Sequence, residues 1–186
     1  MSTIVENDIP IKTEAYVELE AKIATKTAAV GVIGLGYVGL PLGLTFSDAG
    51  FNVTGIDIDT KRIEAILAGR SYITDVDEND LQQAMRNKRF RVTGDLSEIR
   101  NLETVSICVP TPLRKTKDPD MSYVISAADA IAKQLRPGQL IILESTTYPG
   151  TTEELILPAL QAGGLKVGED FFLAYSPERV DPGNPQ

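Results

Sequence analysis

From Ala28 onward the chain alternates short apolar runs with longer amphipathic stretches. The apolar runs are Ala28–Ile33, Asn52–Ile56, Phe90–Thr93, Thr104–Val109, Leu140–Leu143 and Phe171–Ala174. Runs this short and largely apolar predict strands covered on both faces. Between them, Val38–Ala49, Thr60–Leu67, Glu78–Asn87, Tyr123–Leu135 and Thr151–Ala162 predict helices. Gly50, Gly69, Pro137-Gly138 and Gly163-Gly164 stand where helices should stop, and Thr60 stands where one should be capped. Strands alternating with helices pair in parallel through right-handed crossovers. The expected fold is therefore α/β: a doubly wound, Rossmann-like, mostly parallel sheet with helices on both faces.

The first 27 residues stand apart from this alternation. Within them Glu14–Thr25 places Ala15, Leu19 and Ile23 at four-residue spacing, which predicts a short amphipathic helix. Residues 1–27 thus read as a helical extension that packs against a main domain over 28–186. The last segment, Ser176–Gln186, runs out in proline and glycine and looks like a chain cut at a loop.

The first apolar run leads straight into Gly34-Leu35-Gly36-Tyr37-Val38-Gly39, and a predicted helix follows at once. A GxGxxG sequence alone is weak evidence, but strand before and helix after is the context that dinucleotide binding requires. Gly34 permits a tight turn, Gly36 leaves room for a pyrophosphate at the backbone, and Gly39 lets helix and strand pack closely. The helix start then offers N–H groups and a positive dipole end to the phosphates, with Tyr37 and Val38 inside that turn. The second strand ends at Asp57, 18 residues after Gly39, near the spacing of about 20 expected for the acid that takes the ribose hydroxyls. A carboxylate there repels an extra phosphate, so NAD is expected over NADP. Arg62, one turn beyond, can lie against adenine or phosphate or can be a solvated helix charge, and so can Lys61.

Composition narrows the chemistry further. Acidic residues outnumber basic ones 26 to 18, for a net charge of −8. Such a surface repels nucleic acid and anionic membrane at long range. No apolar run approaches the roughly 20 residues of a membrane span, and Met1–Pro10 lacks the pattern of a secretory signal. There is no histidine, and Cys108 is the single cysteine. Triads with histidine, cysteine–histidine pairs, disulfides and His- or Cys-built metal sites are thereby excluded, and no metal site is expected. A reducing, cytoplasmic setting is the simplest reading. Cys108, inside an apolar run, reads as a buried small hydrophobe. Three loops follow strand ends: Pro110–Leu113, Glu144–Gly150 and Tyr175–Arg179. Open α/β sheets bind ligands along that edge. Each loop carries a hydroxyl or carboxylate able to orient water or substrate, though single Thr and Ser residues more often cap or turn the chain.

Together the motifs resemble the UDP-glucose/GDP-mannose dehydrogenase family of nucleotide-sugar dehydrogenases. The stretches are VGVIGLGYVGLPLG (30–43), GIDID with Lys61-Arg62-Ile63, ICVPTPL (107–113), PDMSYV (119–124), ESTTYPGTTEE (144–154) and YSPERVDPGN (175–184). ESTTYPGTTEE and SPERVDPGN look most like the branch that oxidises UDP-N-acetylhexosamines. The resemblance implies oxidation of a sugar C6 hydroxyl to a carboxylate with two NAD, through a cysteine thioester, in polysaccharide biosynthesis. It implies that Thr146 helps hold the catalytic water, that Glu178 works with water in thioester hydrolysis, and that Thr111 and Leu113 lie near the cofactor. Leu113, and the absence of a second glutamate four residues after Glu178, depart from the UDP-glucose branch. The family's cysteine motif, central helix and UDP-binding domain lie outside these residues. The expectation is a chain that binds NAD without turnover, while the full protein forms a homodimer or larger. From the glycine turn alone, a β-hydroxyacid dehydrogenase-like oxidoreductase or a non-catalytic NAD-binding module stay open; neither needs ESTTYPG or SPER.

Overall fold

The structure, a computed structural model, describes residues 13–115 and 118–177. Six strands among these residues form one sheet: β1 (Ala29–Ile33), β2 (Asn52–Ile56), β3 (Phe90–Thr93), β4 (Thr104–Ile107), β5 (Leu140–Leu143) and β6 (Phe172–Tyr175). Their order is β3-β2-β1-β4-β5-β6, and every pairing is parallel. Among the described residues six α-helices accompany them: α1 (Glu14–Ala24), α2 (Gly39–Asp48), α3 (Thr60–Leu67), α4 (Glu78–Arg86), α5 (Ser122–Ala132) and α6 (Leu157–Gln161). This is the doubly wound arrangement that the alternation predicts.

Side-chain alternation along the strands divides the core in two. Val30 and Val32 of β1 and Val53 of β2 pack with Leu40, Ile66, Leu81 and Phe90 on the face carrying α2 and α4. Ile33, Ile56, Val105, Ile107, Ile141 and Leu143 pack with Val124, Ile131, Ile156 and Leu160 on the face carrying α5 and α6. Successive strand residues point to opposite faces, so a sheet clothed on both sides favours residues at consecutive positions that tolerate burial. β4 is buried along its whole length, the small polar Thr104 and Ser106 alternating with Val105 and Ile107.

Several boundaries differ from the sequence expectation. Asp59, not Thr60, caps α3, its carboxylate accepting the Lys61 N–H at 2.9 Å; Asp59 has the extended backbone of a cap residue, so its side chain can turn back onto the first free N–H groups. A 3₁₀ turn over Leu96–Asn101, capped by Asp95, joins β3 to β4 and has no counterpart in the predicted elements. The helix expected over Thr151–Ala162 begins as a π-helical turn, Thr152–Ile156, before continuing as α6. Pro158 has no N–H to give a regular ladder at that junction. Gly50 closes α2 as expected: its N–H reaches Ser47 O and the Phe51 N–H reaches Phe46 O, both at 3.0 Å. The Phe46 and Phe51 rings meet edge to face across that cap.

The expected helix of the extension forms over Glu14–Ala24. Of its apolar stripe only Leu19 is buried; Ile23 is 38% exposed. Polar contacts contribute to the docking. Glu103 accepts the Ala29 N–H at 2.8 Å and pairs with Lys22 at 3.4 Å and Arg136 at 3.2 Å. The Tyr16 ring stands edge-on to Phe172. No helix among the described residues is long and apolar enough to cross a membrane.

Candidate functional site

The strand order reverses at β1, whose neighbours are β2 on one side and β4 on the other. Such a switch point opens a crevice at the carboxyl ends of the strands, where α/β sheets take ligands. The glycine turn leaves β1 at that point. The Gly34 N–H donates to Ile56 O of β2 at 2.8 Å, and the Cys108 N–H, just past β4, donates to Ile33 O at 2.8 Å.

The three glycines of the turn are required for different reasons. Gly34 has φ +90°, and a Cβ there would stand 2.7 Å from Cys108 O. At Gly39 a Cβ would stand 1.8 Å from Gly34 O. Both are fixed by packing inside the protein. A Cβ on Gly36 would meet no protein atom within 4 Å. Nothing inside the fold calls for a glycine at 36, so the open space beside its backbone fits a group that comes from outside. Directly behind it α2 starts without a side-chain cap from Val38 and without an acid in its first turn. An uncapped start presents N–H groups and the positive dipole end to an anion. Tyr37 projects outward, 53% exposed.

Asp57 sits at the end of β2, buried, with its carboxylate turned into the turn. Oδ2 accepts the Leu35 N–H at 2.7 Å and Arg62 Nη1 at 3.2 Å; Oδ1 accepts the Asp59 N–H at 2.9 Å. A carboxylate offers about four acceptor positions, so one on Oδ1 stays open. Arg62 is partly exposed but engaged. It pairs with Asp57, stands 3.7 Å from Asp59 through Nε, and lies over the Tyr72 ring at 5.8 Å. Lys61 is exposed. Tyr72, which no sequence signal singles out, donates its hydroxyl to Leu35 O at 2.6 Å.

The loops after β4 and β5 continue the same edge. Thr111 is half-buried and Leu113 exposed. The segment around them folds back through Asp120 N–H to Pro112 O at 2.8 Å, and Arg114 pairs with Asp120 at 2.8 Å. That guanidinium holds the exposed Asp120 carboxyl down at about 2. Ser145, which the sequence places in this loop without a role of its own, is buried and ties the two loops together. Its hydroxyl lies 2.7 Å from Val109 O and 3.2 Å from Ile107 O. Next to it Thr146 is exposed. Cys108 is buried, as expected, with its thiol 3.7 Å from Glu144 Oε2. Beside this loop Thr147–Glu153 and Tyr175 line a hollow of about 500 Å³. Glu178 and Arg179 lie outside the described residues. No cluster of three or more potential ligands for a metal occurs among the described residues.

The model of the UDP-glucose/GDP-mannose dehydrogenase family, NAD binding domain, matches residues 28–186. The chain belongs to that family. It is the family's NAD-binding domain, and its cofactor is NAD. Among its relatives, UDP-N-acetyl-D-glucosamine 6-dehydrogenase of Pseudomonas aeruginosa is 39% identical over 160 residues, covering 86% of this chain and 37% of that one. Among solved structures, the UDP-D-ManNAc dehydrogenase of Pyrococcus horikoshii superposes with a TM-score of 0.79 at 37% identity, over 83% of this chain and 37% of that chain. GDP-mannose dehydrogenase of Pseudomonas aeruginosa, solved as a ternary complex, gives 0.79 at 30% identity, over 82% and 36%. The chain thus spans little more than a third of the length of these relatives. α1 lies before the matched residues; the glycine turn and the three loop ends lie within them.

Proposed function

We propose that this chain holds the NAD of a nucleotide-sugar 6-dehydrogenase. That enzyme oxidises the C6 hydroxyl of a UDP-sugar, specifically a UDP-N-acetylhexosamine, to a carboxylate with two NAD. The observation that carries the reading is Gly36. It is the glycine of the turn that the fold itself does not need, and it lies between an uncapped helix start and a buried acid. In this reading the backbone of Gly34, Gly36, Tyr37, Val38 and Gly39 surrounds the pyrophosphate, and Asp57 takes the adenosine ribose hydroxyls with Arg62 beside it. Thr111 and Thr146 flank the nicotinamide end, and Thr146 orients water together with Glu178. Bound NAD supplies the hydride acceptor. The chain's own part is to fix the dinucleotide and aim one face of it at the loops after β4 and β5. The relatives named for UDP-N-acetylglucosamine and UDP-ManNAc support the substrate class. A cytoplasmic setting, a role in polysaccharide biosynthesis and assembly of the full protein into dimers or larger belong to the same proposal, as does the division into a 1–27 extension and a 28–186 domain.

Calorimetric titration of the chain with NAD and NADP tests the site. Saturable NAD binding with clearly weaker NADP binding is expected; equal or tighter NADP binding would overturn the assignment of Asp57. Incubated with NAD and UDP-N-acetylglucosamine, the chain should generate no NADH at 340 nm, and measurable NADH would show that these residues suffice for turnover.

A further inference from the structure

We propose that Tyr72 is a positioning residue with two separable tasks: its hydroxyl aims the Leu35–Gly36 peptide at the cofactor, and its ring keeps Arg62 on Asp57, away from a 2′-phosphate. The inference rests on the cofactor site proposed above.

The hydroxyl task follows from peptide geometry. The Tyr72 hydroxyl donates to Leu35 O at 2.6 Å, across 37 residues of sequence. The Leu35 carbonyl and the Gly36 N–H belong to one planar trans peptide and point in opposite directions. Fixing the carbonyl toward Tyr72 therefore turns the Gly36 N–H the other way. On its other side Leu35 is held by its own N–H, bonded to Asp57 Oδ2 at 2.7 Å. The residue between the first two glycines is thus gripped at both ends. Burial, with the Asp57 carboxylate adding to it, pushes the Tyr72 phenol up to about 12. At neutral pH it is therefore a protonated donor.

The ring task concerns charge. In Rossmann folds an arginine near the ribose accommodates the 2′-phosphate of NADP. Arg62 stands at the right place to do so. Its guanidinium is instead engaged on three sides: Asp57 at 3.2 Å, Asp59 at 3.7 Å and the Tyr72 ring at 5.8 Å. A cation over an aromatic face is attracted by about 0.5–1 kcal/mol at such partly exposed sites. Remove the ring and Arg62 is freer to swing toward a phosphate. The discrimination against NADP then depends on what holds Arg62 as well as on Asp57 itself.

The test compares Tyr72→Phe with Tyr72→Leu in the whole chain, each titrated with NAD and with NADP. The phenylalanine variant loses only the hydroxyl. It should bind both dinucleotides about 3- to 10-fold more weakly, the usual worth of one hydrogen bond, with the NAD:NADP ratio unchanged. The leucine variant should show the same loss and, in addition, a ratio lowered about 2- to 5-fold, the cation–π increment. A structural role alone would weaken both ligands equally in both variants and leave the ratio where it was. Tyr72→Met is a second ring-free variant should the leucine variant melt early. Wild-type affinity in Tyr72→Phe, or one ratio shared by ring-bearing and ring-free variants, overturns the proposal. A wild-type chain that binds no NAD overturns the cofactor site itself; binding wild type with indifferent variants overturns only the role of Tyr72.

Discussion

The glycine turn and the loop after β5 lie on one edge of one sheet, yet they are fixed to different degrees. Around the turn, Gly34 and Gly39 are locked by backbone atoms, Leu35 is bonded at both ends, and Arg62 is engaged on three sides. Around Thr146 the anchor is Ser145, whose hydroxyl reaches back to the β4 loop, while Thr146 itself is exposed. A group held by several partners has already lost its conformational freedom, so a ligand meets it without a further ordering cost. An exposed threonine keeps its rotamers until something closes over it. The turn is therefore ordered before any ligand arrives, whereas in the threonine loop Ser145 fixes the backbone and the Thr146 side chain keeps its freedom.

The sharpest way to break this contrast is at Gly39. Gly39→Ala puts a methyl group 1.8 Å from Gly34 O, where α2 crosses the end of β1. Backbone must move to admit it, and we expect a loss of about 3 kcal/mol or more of folding stability. Urea denaturation reads it as a lower midpoint with an unchanged slope. A midpoint like that of the wild type would mean that the turn is slack.

Next in size is Gly36→Ala, which separates binding from folding inside the same six residues. Its new methyl group meets no protein atom within 4 Å, so stability should stay within about 0.5 kcal/mol of wild type. NAD affinity should fall about tenfold or more, the cost of losing a charge-assisted hydrogen bond or two to the pyrophosphate. Unaltered NAD affinity in this variant would remove the central support of the proposed site.

The two regions also differ in how far the sequence reveals them. The sheet is legible because strands covered on both faces are short, mostly apolar runs, and every predicted strand forms within two residues of its expected bounds. Gly34, Gly39 and Asp57 are legible because turn geometry and the spacing to the second strand constrain them. Tyr72 and Ser145 are not: each acts through one hydroxyl on a carbonyl 37 or 36 residues away, and no local pattern encodes such a partner. The exposure of Ile23 was hidden too, because a four-residue stripe says which face is apolar and not whether the sheet edge reaches it. Lys26 and Lys88 make the same point, ending α1 and α4 in the left-handed region at φ 58° and 56°. Lysine gives no signal for such a turn, whereas Gly50 does.

The smallest expected effect lies in the loop. Thr146→Ala removes an exposed hydroxyl from a segment that Ser145 anchors, so stability should change by less than about 0.5 kcal/mol. NAD affinity should change by less than about twofold, since the tightly held adenosine side of the site is untouched and the lost group can offer at most one weakly ordered hydrogen bond. Paired with Gly36→Ala, the measurement asks whether holding the dinucleotide and handling water belong to different loops. If Thr146→Ala weakened NAD as much as Gly36→Ala does, Thr146 would be part of the binding framework in spite of its exposure. The distinction between the two regions would then reflect only how each looks without its ligand.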